Sequence, residues 1–399
     1  MQKNRRRAIV FWAALILITA VCALGVGVLG SVEKTELISR AGQSFEKGVV
    51  TEILEDNLQP DGTRAGNQLV RVLMTSGVKR GQELETTSSS GFLFGAPCRP
   101  GMKVVVMQSV AGDTVISSVY SQDREHVVYL FAALYLAALV LVGGLKGLKG
   151  ALGLVFTFFA IIFAELPLVY RGYSPTAAAV FICCVTTFVT MLLIGGFSQK
   201  TLIATAGTVA GVLGAWGAAR LFSAASGISG WNVSNIESLM TLWHLKDIQV
   251  GELLFAGLLI STLGAVMDVA MSIASAMQEI QRQNPAISRR ELFRAGIRVG
   301  RDMMGTDANT LILAFSGSSL GTLMLDYAYD LPYLQIINSN NIGIAIMQGL
   351  GGSFGIVLSV PFTVALGSFL LTAASAETRV PKTATFPARP ADYSFRRCK

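Results

Sequence analysis

The stretch "GAVMDVAMSIASAMQEIQ" sets Asp268, Ser272, Ser275 and Glu279 at i, i+4, i+7 and i+11. On a helix of about 100° per residue these four side chains lie within about 60° of one another. The face reads carboxylate, hydroxyl, hydroxyl, carboxylate, a set that can hold a cation or pass a proton. A second polar run follows in "GRDMMGTDANTLILAFSGSSLGTLML". There Asp307, Thr310, Ala314, Gly317, Ser318 and Gly321 fall within roughly 100° on a helix, with Asn309 and Ser316 projecting to nearly the opposite side.

These residues admit competing uses. A face of Gly and Ser lets a neighbouring helix approach closely. The same residues can also interrupt a helix beside a transport site. Asp268 and the Asp307/Asn309 pair should meet in the inner half of two antiparallel neighbours, with Asn309 or Thr310 bonding the Asp268 carboxylate. The site expected on this basis comprises Asp268, Ser272, Ser275, Asn309, Thr310, Ser316, Gly317 and Ser318. Two aspartates can also serve an intramembrane hydrolase, but no "GxGD"-type arrangement and no His or Ser–base pairing is present. No catalytic residue, enzyme activity, metal site or cofactor is expected.

The elements that must position this chemistry are apolar. Of 399 residues 52% are hydrophobic and 14% charged, against about a quarter charged in a soluble domain. Charge-free runs recur near the roughly 20 residues needed to cross a bilayer. About eight spans are expected: Ala8–Leu29, Val127–Val142, Ala151–Tyr170, Thr176–Phe197, Leu202–Leu221, Leu253–Ala276, Met304–Leu325 and Ile342–Ala374. The first is read as an uncleaved anchor, because its apolar stretch exceeds the 7–15 residues of a typical signal-peptide core. The last contains "QGLGGSFG" and Pro361, which suggest a tilt, a kink or a re-entrant piece. An Asp at the centre of a span costs about 2.5–3.5 kcal/mol, so Asp268 should face a partner helix or water. Glu165 and Pro167, near the end of the third expected span, suit an interfacial position. His126 and His244 are unpaired and do not suggest a metal.

Lys and Arg crowd the segments that share a side with the N-terminus, from Arg5, Arg6 and Arg7 through Lys146 and Lys149 to Arg282–Arg301 and the tail. Both termini are therefore expected in the cytoplasm, with the chain in the plasma membrane. The net charge of +7 is then topology rather than affinity for nucleic acid. Within the inner loop, "AISRRELF" holds a capping box, Ser288 with Glu291, and a hydrophobic staple, Ile287 with Leu292. The helix it starts carries Arg290, Arg294 and Arg298 on one stripe. That stripe suits anionic lipid headgroups at a bilayer surface.

Residues 31–125 read as β. "QLVRVLM" and "MKVVVMQSV" are β-branched runs, and "AGD" before "TVISSVY" is a hairpin turn. Five or six short strands suit a small OB-like barrel or sandwich, outside the membrane, able to dock an envelope protein partner. Cys98 stands alone there, without a disulfide framework. The organisation expected is a segment and anchor (1–30), the extracytoplasmic β-rich domain (31–125), an α-helical polytopic membrane domain (126–376) and a basic cytoplasmic tail (377–399).

The sequence around "GAVMDVAMSIASAMQEI", followed by "VGRDMMGT" and "NTLILAFSGSSL", resembles the YibE/F-like family of multipass membrane proteins. The resemblance implies a small extracytoplasmic domain followed by a helical membrane domain, and it implies no reaction. The family pattern has an uncharged residue where Asp307 stands, which favours Asp268, Arg301, Asp302 and Asn309 for any shared role. The reading that results is a permease-like transporter of an ion or small solute, capable of homo-oligomer formation. The rival is a membrane scaffold whose β domain binds a partner.

Overall fold

Alternating apolar residues close the first part of the chain into a barrel. The computed structural model describes Gly27 and residues 42–89, 95–111 and 114–377. The expected first span and the basic tail therefore lie outside the described residues, apart from Gly27 and Glu377. Strands β1 (Gln43–Glu55), β2 (Gln68–Met74), β3 (Glu83–Ser88), β4 (Lys103–Ala111) and β5 (Thr114–Gln122) form a closed barrel in the order β1-β2-β3-β5-β4. The β3–β5 pair is parallel and the other four are antiparallel. This is the five-stranded Greek-key plan of an OB-type barrel. Val50, Val70, Val72, Val104, Val106 and Val119 fill it, as the period of two requires.

Polar groups pin the barrel's loops. Asp56 accepts from Arg64 Nη1 at 2.6 Å and from Gln68 Nε2 at 2.8 Å. The Gln68 amide and the Arg64 guanidinium hold the Asp56 carboxyl below the usual carboxylate range. Cys98 is buried, its N–H donating to Gln68 Oε1 at 2.7 Å, and burial pushes its thiol up. It is a core residue, not a reactive one. Lys47 on β1 pairs with Asp123 and Glu125 at the start of the first helix.

That helix, α1 (Glu125–Ala160), contains Gly144 at φ 55°, ψ −136°. Residues 139 and 147 would stand about 12 Å apart in a straight helix. Yet a Cβ on Gly147 would lie 2.0 Å from the Leu139 carbonyl oxygen. The chain folds back at Gly144, and the second and third expected spans are the two arms. The compact units divide after the break, one being Glu33–Ala151 and the other including Leu152 onward.

The larger unit begins with the end of α1, a π turn (Ile161–Glu165) and α2 (Leu166–Tyr170). There follow α3 (Pro175–Gly195), α4 (Gln199–Ser226), α5 (Ile236–Lys246) and α6 (Val250–Gln283). The described residues end with α7 (Arg289–Ser318), α8 (Leu320–Ala328), α9 (Tyr333–Ile337) and α10 (Asn340–Glu377). Among the described residues five helices are long and apolar enough to cross a membrane, or six if the bent pair α7–α8 is one span. The expected total of about eight also counts the first span and separates the two arms of α1.

Helix α10 runs unbroken through "QGLGGSFG" and Pro361, so no re-entrant piece is formed there. Its glycines are crossing points instead. A Cβ on Gly211 of α4 would lie 2.8 Å from the Gly355 carbonyl oxygen, and a Cβ on Gly355 would lie 2.8 Å from that of Gly211. Gly352 abuts Thr262 of α6 and Leu311 of α7. Gly300 abuts Val360, and Gly296 abuts Met277 and Val364. Helices α4, α6 and α7 thus pack around α10.

Gly211→Val should push α4 from α10 and destabilise the purified protein by about 1–3 kcal/mol. Gly257→Ala, with nothing within 4 Å of its added carbon, should leave stability equal or higher by up to about 1 kcal/mol. Thermal unfolding of both variants checks this, and equal melting temperatures would overturn the close crossing.

Candidate functional site

Helix α6 has two faces. Val266, Val269, Ala270, Ile273, Ala274 and Met277 are buried, which fixes the helix against its neighbours. On another side Gly257, Ser261, Gly264 and Asp268 follow one another at helical spacing, and all four are exposed. Ser272 and Ser275 are half-buried, and Glu279 is exposed. The Ser275 hydroxyl donates to the Met271 carbonyl at 2.6 Å, so it is satisfied within its own helix.

Helix α7 runs alongside. Its first turn has the expected capping box: Ser288 Oγ accepts from the Glu291 N–H at 3.2 Å, and Glu291 Oε2 accepts from the Ser288 N–H at 3.1 Å. Ile287 and Leu292 join one apolar cluster. Arg290, Arg294 and Arg298 are exposed on one stripe, while Leu292, Gly296 and Gly300 are buried opposite them. The basic turns are not a separate surface helix, however. No Pro or other breaker separates them from the apolar run, so they are the head of one long helix.

The packing of Ile273 against Gly300 and of Met277 against Gly296 sets the register between α6 and α7. That register brings Asp307 into electrostatic reach of Asp268. Asp307 is half-buried. Neither aspartate forms an ion pair or a hydrogen bond with another side chain among the described residues. The expected partners do not fill that role. Thr310 donates to the Thr306 carbonyl at 3.0 Å, and Asn309 is exposed without a bond to Asp268.

The Ser/Gly run lies elsewhere. Asp307 and Ser318 are eleven residues apart on α7, about 16 Å along its axis. Ser318 closes α7 with its hydroxyl on the Phe315 carbonyl at 2.7 Å, and the chain bends by 57° into α8. Gly317 has open space around it. Ser316 and Ser319 border an open groove of about 760 Å³. Its other walls are mainly aliphatic, including Ile312, Leu323, Ile346 and Leu350. The residues expected to form one site therefore separate into an acidic seam and a bend.

Two further carboxyls of the helical unit are Glu252 and Glu165. Glu252 pairs with Arg220 at 2.9 Å and accepts from the Thr176 hydroxyl. Glu165 is buried within the protein. The one local signal was Pro167, two residues on, which disturbs the helix around it. Among the described residues no three His, Cys, Asp or Glu side chains are grouped to hold a metal.

The family of the YibE/F-like proteins matches residues 131–373. No curated protein and no solved structure matches the chain. The family match covers more than half the sequence, from the first arm of α1 almost to the end of α10, and the chain belongs to the YibE/F-like family.

The facing of the two acids is open to direct test. In a variant whose native cysteines are replaced, the pair D268C and D307C should be joined by a short bifunctional thiol reagent. The pair D268C and S316C should not. Cross-linking of the second pair, or failure of the first, would overturn the register.

Proposed function

We propose that this member of the YibE/F-like family is a permease-like integral membrane protein that moves a cation or other small solute along the α6–α7 seam. The observation that carries this reading is the approach of Asp268 and Asp307 on neighbouring apolar helices, with no basic side chain paired to either among the described residues. Two like charges brought together in a poorly solvated place repel, and a bound cation or proton relieves the repulsion. Carboxylates within membrane spans usually mark ion or substrate pathways. The bend between α7 and α8 supports movement, because interrupted helices are where transporters open and close. Arg290, Arg294 and Arg298 then sit at the cytoplasmic face, in the plasma membrane, against anionic headgroups. Both termini share that side in this reading.

A second reading rests on the barrel. Phe45 and Tyr120 are exposed and meet edge to face, with ring centroids 5.2 Å apart. Exposed aromatic pairs favour protein docking, so the barrel would bind an envelope partner and the helices would anchor it.

Asp268→Asn should reduce cation flux in reconstituted vesicles to background while melting temperature and membrane insertion stay at wild-type values. Asp307→Asn should lower flux less. Wild-type flux in both variants, with activity lost instead in F45A/Y120A, would replace transport by the scaffold reading.

A further inference from the structure

Glu165 is the acidic side chain that the α6–α7 seam leaves unused. It is 4% exposed, and its Oε2 has no hydrogen-bond partner. It ends the π turn Ile161–Glu165, in which the Leu166 N–H donates to the Ile161 carbonyl, five residues back. Pro167 accounts for the widened turn, because its ring crowds the carbonyl four residues earlier and it has no N–H to give. π turns recur at functional positions in helices.

Glu165 lies within electrostatic reach of Cys183 on α3. Cys183 is eight residues into that 21-residue helix, about 12 Å from its first turn. The groups around Glu165 are sparse in charge. Residues 152–164 contain no ionisable side chain. Helix α3 offers only the thiols of Cys183 and Cys184, and α2 only the Tyr170 hydroxyl. Among the described residues no Lys, Arg or His pairs with Glu165.

A buried carboxyl without a cation is costly in its charged form, and a Gln or Leu would pack there at less cost. Cys183 also borders a small cavity between α3, α4 and α6, with Cys184, Thr187, Thr208 and Leu263. It has room for about one water molecule. Thr187 is fully buried, and its hydroxyl oxygen has no partner. The Thr187 hydroxyl is thus a polar group at a cavity whose walls are otherwise mainly apolar.

We propose that Glu165 is a proton-binding site within the helical unit, which keeps its proton while the helices are closed and exchanges it when water reaches the cavity beside Cys183. The ligand is a proton because a metal ion needs several ligands, and among the described residues no such group surrounds Glu165. A proton needs a single lone pair. The reaction is carboxylate plus proton to carboxylic acid, with no redox change. It stands whether or not the α6–α7 seam moves a solute.

Infrared titration of the purified protein in lipid vesicles tests this. The carbonyl band of protonated carboxyls should contain a component that is lost in Glu165→Gln and kept in Asp268→Asn. Glu165→Asp should move that component rather than abolish it, which decides the matter if Glu165→Gln does not fold. Bands that are identical in wild type and Glu165→Gln from acid to alkaline pH would overturn the proposal. So would a Glu165→Asp band that does not move. Loss of flux in Asp268→Asn with the Glu165 component intact would leave this site standing beside the transport reading, and unchanged flux would remove that reading alone.

Discussion

The rest of the helical unit depends on the approach of two backbones, at Gly211 of α4 and Gly355 of α10. Only residues without side chains allow that contact, and lipid tails give apolar helices no other strong reason to choose one partner. Once α10 is held there, its next glycine and valines fix the others. Gly352 receives Thr262 and Leu311, while Val360 and Val364 receive Gly300 and Gly296. The α6–α7 register, and with it the meeting of Asp268 and Asp307, follows from contacts that involve neither aspartate.

Polar residues within these helices differ in how they can be satisfied. A hydroxyl can donate to a carbonyl of its own preceding turn, and Thr186, Thr208 and Thr262 do so at 2.7, 2.8 and 3.0 Å. An ionised carboxylate only accepts, and the N–H groups in the middle of a helix are already taken. It must find a donor on another element, as Glu252 does with Arg220 and Thr176. Ser and Thr can therefore be inert packing groups in such a helix. Asp268, Asp307 and Glu165 cannot be satisfied that way, which makes them more informative than the longer Ser/Gly run.

What the sequence made legible was local. The barrel strands follow from alternation, and the capping box from Ser-x-x-Glu. The basic stripe follows from spacing of four. The break at Gly144 falls in the gap between the second and third expected spans, so the two arms were legible and only the sharpness of the fold-back was not. Asp307 ranks below Asn309 in the sequence because the family pattern is uncharged at its position, and spacing, which gives directions on one helix but not the register against another, could not correct this. The burial of Glu165 does not follow from its own helix, because it depends on α3, whose Cys183 is within electrostatic reach. In each case the missing information was tertiary.

Helix α7 shows why one continuous element serves several purposes. Its first turns carry exposed guanidinium groups, which hold one end in a polar layer. Its middle carries Asp307 against α6, and its end bends at Ser319. The bend is about 18 Å from the acid along the helix, so a change of angle at Ser319 need not disturb the acidic seam. Conversely, a shift of α7 along α6 large enough to part the two carboxylates would have to lift Gly300 off Val360 and Gly296 off Val364. The seam is thus held by tight glycine contacts, whereas Gly317 at the bend has open space around it. A transport cycle that uses this helix is best served by motion of α8 relative to a stationary acid pair.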